Sequence, residues 1–148
     1  MESNGFEYLS WSKGDFDLPH RSTASSAGYD FHSPVDFVVK PNDTVEISLE
    51  VKCRIKRGEF LMIVPRSSMG WNGKHIAITN TTGIIDSDYY GNEKNEGEIR
   101  ARFHNFGDTE LVVRKNDRLL QGIFVKYDVT EDDDAKESRH GGLGSTGK

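Results

Sequence analysis

The chain has 148 residues and a formal net charge of −5, with 34% hydrophobic and 10% aromatic residues. This length favours one domain, and the apolar fraction is low beside the roughly 45–50%, glycine included, of ordinary globular chains, so we expect a small core. The excess of acidic residues argues against nucleic-acid binding, which needs clustered lysine and arginine. No apolar run approaches the roughly 18 residues of a membrane span, and no signal peptide is visible. The single cysteine, Cys53, excludes an internal disulfide and is expected to be a buried structural thiol.

Short strands with alternating apolar and polar residues are predicted along most of the chain. The clearest is Thr44–Val51, in which every second residue is apolar. The other predicted strands are Val35–Val39, Phe60–Val64, Ile76–Ile78, Ile99–Phe103, Glu110–Val113 and Arg118–Val125. Ser67–Trp71 is expected to form one helical turn, capped by Ser67 or Ser68. Many short strands without long helices predict an all-β sandwich or barrel.

The composition changes near Glu131. Residues 131–137 carry five acidic residues and one lysine, whereas residues 139–148 are mostly glycine, serine, threonine and basic residues. We therefore predict a β-sandwich or β-barrel domain over residues 1–130, an acidic tether over 131–138 and a glycine-rich arm over 139–148. A disordered tail is the plainer interpretation of the arm. However, its backbone N–H groups, hydroxyls and two cations, Arg139 and Lys148, would suit a polyphosphate.

Two polar stretches, AGYD at residues 27–30 and PRSSMG at residues 65–70, interrupt the strand pattern. The first stretch is explained by a turn that leads into a strand, and Gly28 fits such a turn. In the second, Arg66 supplies a planar fork suited to phosphate oxygens, and the serines add donors. A capped turn with a surface arginine is the alternative.

A third polar stretch, NTTGIIDSDYYG at residues 80–91, is the most informative. Gly83 would permit a tight hairpin, and Ile84 and Ile85 are expected to anchor it in the core. Asp86 would then lie at the edge of a partly dry pocket, where a carboxylate can accept a proton from water. Tyr89 offers a flat face to a base or sugar. The alternative is a polar turn with an exposed tyrosine.

Five motifs, in order, resemble those of the trimeric dUTPases. They are AGYDF (Ala27–Phe31), PRSSMG (Pro65–Gly70), NTTGIIDSDYYG (Asn80–Gly91), DRLLQGIF (Asp117–Phe124) and RHGGLGSTG (Arg139–Gly147), and together they cover the chain from about Ala24 onward. The resemblance implies a distorted, jelly-roll-like β-barrel of short antiparallel strands with a flexible C-terminal arm. It also implies a cytoplasmic homotrimer, of bacterial or phage origin, with shared active sites. The implied reaction is Mg²⁺-dependent hydrolysis of dUTP to dUMP and pyrophosphate, which keeps uracil out of DNA and supplies dUMP for dTMP synthesis.

The resemblance also assigns residue roles. Asp86 would be the general base for water attack on the α-phosphorus, and Asp30 would bind Mg²⁺ through water. Tyr89 would pack on deoxyribose and leave no room for a 2′-hydroxyl. Asn80 with the backbone of Gly83, Ile84 and Ile85 would bind uracil; the triphosphate would be held by Arg66, Ser67, Ser68 and Gln121. The arm residues expected to close over the nucleotide are Arg139, Gly142, Leu143, Gly144, Ser145 and Thr146.

Two departures from the family pattern and two alternative functions accompany this assignment. Leu143 stands where the family usually has an aromatic residue that stacks on uracil, so we expect weaker closure. Asn92–Gly97 resembles an insertion, either a solvated hairpin loop or a surface for a protein partner. A related class of enzymes deaminates dCTP, but the Asp86–Tyr89 hairpin follows the dUTPase pattern. A non-catalytic module that binds dUTP would show nucleotide-dependent stability without pyrophosphate release.

Overall fold

Apolar residues repeated at every second position produce strands rather than helices in this protein. The computed structural model describes residues 3–141, and this part of the chain contains eleven β-strands and no α-helix. The strands are β1 (Gly5–Tyr8), β2 (Tyr29–His32), β3 (Phe37–Val39), β4 (Thr44–Ser48), β5 (Val51–Arg54), β6 (Glu59–Pro65), β7 (Ile76–Ile78), β8 (Gly83–Asp86), β9 (Arg100–Asn105), β10 (Leu111–Val113) and β11 (Arg118–Lys126). Two short 3₁₀ turns occur at Ser67–Gly70 and Ser87–Tyr89.

All strand pairs are antiparallel. The largest sheet has the order β2-β11-β6-β8, a second has the order β4-β9-β7, and β1-β5 and β10-β3 form two-stranded ribbons. The inner faces bury Phe31, Leu61, Phe103 and Leu119, so one core lies between the sheets. The prediction of an all-β, jelly-roll-like fold is confirmed. Beyond β11 the chain continues to residue 141 without a helix or strand, and residues 131–138 are exposed. Nothing between residues 3 and 141 forms a helix of membrane-spanning length and hydropathy.

The single strand predicted over Thr44–Val51 is wrong. The chain turns a corner between β4 and β5, and Glu50 there takes the left-handed conformation with φ 58°. Leu49 and Val51 are nevertheless both buried. The backbone of Ile99 accepts a hydrogen bond from Leu49 and donates one to Val51, so both sides of the corner bond to the same residue. The apolar alternation therefore continues through a bend that the alternation itself cannot reveal.

The other strand predictions differ mainly at their ends. β1, β8 and β5 beyond Val51 lie outside every predicted strand, and β2 follows the AGYD stretch, for which a turn leading into a strand is one interpretation. The helical turn at Ser67–Trp71 is confirmed as a 3₁₀ turn over Ser67–Gly70. Its predicted serine cap is wrong, because Arg66 occupies the capping position and no side chain caps the turn.

Burial makes Cys53 chemically inert. The thiol lies in β5 opposite Phe6 of β1, is 2% exposed and has its pKa raised to about 12 by burial. Because the thiolate is the reactive form, we expect no modification of the native protein by a thiol reagent at pH 8 over an hour. Full modification should follow in guanidinium. Cys53 is the chain's only cysteine, so the signal belongs to it alone. Rapid stoichiometric labelling of the folded protein would contradict this burial.

Candidate functional site

A cavity of about 260 Å³ lies beside β8 and β9. Its floor is apolar, with Ile63, Ile78 and Leu120 among the lining residues. Its polar lining residues include Asn80, Asp86, Tyr89, Glu98, Arg100 and Arg139. An apolar enclosure with a few polar groups at its rim is typical of a small-molecule site.

Gly83 shapes this cavity by close packing rather than by turning the chain. A Cβ at residue 83 would lie 3.1 Å from Cβ of Ile63, its partner in β6. The left-handed residue of the turn between β7 and β8 is Thr81, with φ 61°. The expectation that Gly83 forms the tight turn is therefore wrong, and the expected hairpin is not formed, because β7 pairs with β9 and β8 pairs with β6.

The exposed end of β8 carries the candidate general base. β8 is the edge strand of its sheet, so among residues 3–141 it pairs with another strand, β6, on one side only. The side chain of Asp86 is 51% exposed, and Ile84 is 53% exposed. Only Ile85 packs against the core. The expectation that Ile84 anchors the hairpin in the core is therefore wrong. Asp86 does line the apolar cavity, but its own side chain stays half exposed to solvent in the single chain.

Arg139 connects the beginning of the arm to this carboxylate. Its Nη2 donates to Oδ2 of Asp86 at 2.6 Å, and its Nε donates to Oδ1 of Asp88 at 2.7 Å. The first arm residue thus lies at the Asp86 site of its own chain. The remaining predicted arm residues, Gly142, Leu143, Gly144, Ser145 and Thr146, lie outside the described residues.

Tyr89 is buried in the cavity wall rather than exposed. It is 7% exposed, and its hydroxyl donates to the carbonyl of Glu98 at 2.6 Å while accepting from Nδ2 of Asn95 at 2.9 Å. Burial raises the pKa of the phenol. Sequence reasoning missed both partners, because only the backbone of Glu98 is used and Asn95 lies in the presumed insertion.

The segment Asn92–Gly97 is folded against the domain. Asn92 and Gly97 are buried, and backbone bonds join Gly91 to Glu96 and Glu96 to Asn92. The carboxylate of Glu96 accepts from Ser10 and pairs with Nζ of Lys52 at 3.0 Å. The expectation of a solvated hairpin loop is wrong except for Glu93 and Lys94, which are exposed.

A second cavity, of about 310 Å³, brings the other polar motifs together. Its lining residues include Gly28, Asp30, Arg66, Ser67 and Gln121. Gln121 lies opposite Asp30 in the pairing of β11 with β2, and a Cβ at residue 28 would lie 2.2 Å from Oε1 of Gln121. Glycine at residue 28 therefore makes room for the glutamine.

Asp30 is engaged by neighbouring side chains of this cavity. Its Oδ2 accepts from Oγ of Ser22 at 2.6 Å, and its carboxylate lies 3.5 Å from Nε of Arg66 and 3.9 Å from Nη1 of Arg118. Ser68 does not line this cavity but contacts Arg66 through a 3.4 Å hydrogen bond. The two guanidinium groups offset the charge of Asp30, which leaves a poor site for direct coordination of a divalent cation. The arrangement fits Mg²⁺ that keeps its water ligands and is carried by phosphate oxygens.

Within one chain the two cavities share no lining residue among residues 3–141. Asp86 pairs with Phe60 near the start of β6, whereas Arg66 follows the end of that strand. At about 3.3 Å per residue, the six residue steps from Phe60 to Arg66 span roughly 20 Å. The predicted site residues therefore form two groups that a single chain keeps apart.

A family model, curated relatives and solved structures that match this chain are all dUTPases. The family model described as dUTPase matches residues 14–147. The deoxyuridine 5′-triphosphate nucleotidohydrolase of Lactococcus lactis subsp. lactis is 37% identical over 150 residues, 99% of each chain. The crystal structure of dUTPase from Streptococcus mutans has a TM-score of 0.73 and 32% identity over 86% of this chain and 98% of that one. A mutant dUTPase of phage phi11 of S. aureus, described as coordinating a structural Mg(II) ion, has a TM-score of 0.70 and 20% identity, over 92% of this chain and 98% of that one, which supports the fold alone.

The Glu96 contacts predict a pH dependence of stability. Hydrogen bonds from Ser10 and the charge of Lys52 lower the pKa of Glu96 from 4.5 to about 2. Because the folded-state pKa lies below the unfolded value, this contribution is fully present above about pH 4.5 and is lost as pH falls toward 2. We therefore expect Glu96→Gln to lower stability in urea unfolding at pH 7 and to converge with wild type near pH 2. Glu93→Gln, in the exposed part of the same loop, is the control and should track wild type. An equal loss of stability in Glu96→Gln at pH 7 and pH 2 would rule out this carboxylate.

Proposed function

Because the chain belongs to the dUTPase family and hydrolyses dUTP to dUMP, we propose that the β8 cavity binds deoxyuridine and that Asp86 activates the attacking water. The observation that carries this proposal is the convergence of Asn80, Asp86, Tyr89 and Arg139 on one apolar cavity. Family membership identifies the reaction, and the residues that line this cavity support it as the location of that reaction.

Uracil recognition follows from the position of β8 at a sheet edge. The edge that faces away from β6 pairs with no other strand in the described part of the chain, which leaves backbone donors and acceptors for a ligand. We assign the uracil to this edge, along Gly83–Ile85, with Asn80 adding its amide. A base with the wrong donor pattern would leave buried polar groups unpaired, which is a strong basis for rejection.

Sugar discrimination is assigned to Tyr89. Its ring lines the cavity and its hydroxyl is held by two hydrogen bonds, so the ring cannot easily yield to a larger sugar. A ring packed against deoxyribose leaves no space for a 2′-hydroxyl. This is a steric mechanism, and it requires that the ring be fixed.

Asp86 is assigned the proton-accepting role. Water attacks the α-phosphorus, its proton passes to the carboxylate, and pyrophosphate departs with the bonding electrons of the phosphoanhydride. Arg139 contacts this carboxylate, so its guanidinium lies where phosphate charge would accumulate. The arm that follows would then exclude water from the closed site.

The triphosphate-binding group comes from another copy of the chain in this proposal. Arg66, Ser67 and Gln121 line a cavity that is separate from Asp86, with Ser68 in contact with Arg66. A homotrimer with shared sites joins the two groups, because the second cavity of one subunit can face the first cavity of its neighbour. Magnesium would enter with the nucleotide and neutralise its charge, and Asp30 would reach it through water.

Mixed subunits test the shared site directly. We expect Asp86→Asn to lower kcat by about 10²–10⁴-fold, because the proton acceptor is lost. We expect Arg66→Ala to lower kcat/KM by roughly 100-fold, because a bidentate phosphate contact is lost. Co-refolding the two variants in equal amounts should restore about a quarter of wild-type pyrophosphate release, since random mixing places an intact Asp86 beside an intact Arg66 in one site of four.

The outcomes separate the two parts of the proposal. If Asp86→Asn retains full activity, its role as the base is wrong. If both variants are inactive and the co-refolded mixture also stays inactive, each chain contains its own complete site. The variants refolded separately and then mixed without denaturation are the matched control.

A further inference from the structure

A group of metal-ligating side chains lies outside the two cavities described above. One ligand atom from each of Asp17, His20 and His32 lies within 4.8 Å of the others. The imidazole rings of His20 and His32 are stacked with centroids 4.8 Å apart. His32 is only 6% exposed, and its Nδ1 is buried without a hydrogen-bond partner among residues 3–141. A buried imidazole nitrogen with an unused lone pair or proton needs an explanation.

The neighbours of this group orient its ligands. Nδ1–H of His20 donates to the carbonyl of Leu18 at 3.2 Å, which leaves the lone pair on Nε2. Asn116 bonds to both the backbone N–H and Oδ2 of Asp17. Such outer contacts are typical of ligands in protein metal sites. The guanidinium of Arg118 also faces His32, but it is engaged by Asp30 and Ser22.

We propose that Asp17, His20 and His32 form a zinc site with an open fourth position. Two imidazoles and one carboxylate are a donor set that Zn²⁺ accepts. Tetrahedral ligands about 2.0 Å from zinc are roughly 3.3 Å apart, so the side chains must approach one another. Imidazole lone pairs lie in the ring plane, so the ring of His20, which is exposed, would rotate out of its stack on His32 to share one ion, and the exposed carboxylate of Asp17 would move toward both. The ion would tie the segment before β2 to β2, beside Asp30.

Zinc titration of the chelator-treated full chain tests this site. We expect one Zn²⁺ per chain by calorimetry and a higher melting temperature in its presence, because the ion binds only the folded state. His20→Ala and Asp17→Asn, at exposed positions, should weaken binding by at least tenfold and abolish the stabilisation. His75→Ala, an exposed histidine outside the group, is the control and should bind as wild type does.

These readouts are independent of dUTP hydrolysis. Absence of one-to-one binding, or equal binding by His20→Ala and wild type, would overturn the site. Loss of binding in His75→Ala but not in His20→Ala would place the zinc on another surface histidine, with the same consequence. Circular dichroism of each variant establishes that the fold is retained.

A separate observation concerns the control of Tyr89. Asn95 donates to the hydroxyl of Tyr89, accepts the N–H of Gly97 at 3.0 Å through Oδ1, and accepts the N–H of Glu98 through its backbone. The next residue, Glu96, anchors the loop to Ser10 and Lys52. These contacts connect the loop to Ser10, Lys52 and Glu98 of the domain and to the hydroxyl of Tyr89.

We infer that Asn95 is a positioning residue that holds Tyr89 against the sugar, an inference that rests on the proposed sugar-binding role. Without this donor, the phenol keeps its bond to Glu98 but loses its second constraint. The ring could then shift enough to admit a 2′-hydroxyl. The loop thus acts on specificity without touching the nucleotide.

Paired kinetics with dUTP and UTP test Asn95. For Asn95→Ala we expect the ratio of kcat/KM for dUTP over UTP to fall three- to tenfold, the effect of one lost hydrogen bond. The kcat for dUTP should change less. Lys94→Ala, at an exposed position in the same loop, is the control and should keep the wild-type ratio.

The two possible failures are distinguishable. An unchanged ratio in Asn95→Ala, with normal dUTP turnover, would overturn the positioning role alone. A Tyr89→Ala variant with wild-type discrimination would instead remove the sugar-binding role on which the inference rests.

Discussion

The close packing of β11 between β2 and β6 is the constraint on which both parts of the site depend. β11 is nine residues long and pairs with β6 at seven positions and with β2 on its other side. A Cβ at residue 122 would lie 2.9 Å from atoms of both Leu61 and Phe31, so only glycine lets the strand lie this close to the core. This register sets Gln121 beside Asp30 and fixes β6, which leads into Arg66 at one end and pairs with β8 along its length.

β6 connects the two polar groups but also holds them apart, one near each of its ends. Antiparallel pairing aligns Asp86 with the beginning of β6, whereas Arg66 follows its end. Strands are stiff and rise by about 3.3 Å per residue, so no local rearrangement brings these side chains onto one phosphate. If Asp86 and Arg66 act on one nucleotide, as proposed, this separation would require a second subunit to bring them together, and that subunit would also bury apolar surface.

The fold class and the motif residues could be predicted from sequence because they depend on short-range patterns. Alternation predicted β6, β7 and β11 closely, and family motifs identified Asp86 and Arg66. Features that depend on distant contacts were missed. The bend at Glu50 is hidden because buried residues lie on both sides of it. Ile84 is exposed because it shares a face of β8 with Asp86, whereas Ile85 faces the core. Asn95 was read as part of a loop because nothing in its local sequence indicates a bond to Tyr89.

The contrast between Tyr89 and Asp86 explains how the work of the site is divided. Tyr89 is buried and doubly hydrogen-bonded in the single chain, so in the proposed mechanism the steric selection of the sugar would need no rearrangement when the nucleotide binds. Asp86 is half exposed, and charge interactions there are screened by water. Stabilising the charge that develops on a phosphate requires a drier environment than one chain provides. Under the proposed mechanism, recognition could therefore precede closure whereas catalysis would depend on it, and Arg139 contacts the carboxylate at the point where the arm begins.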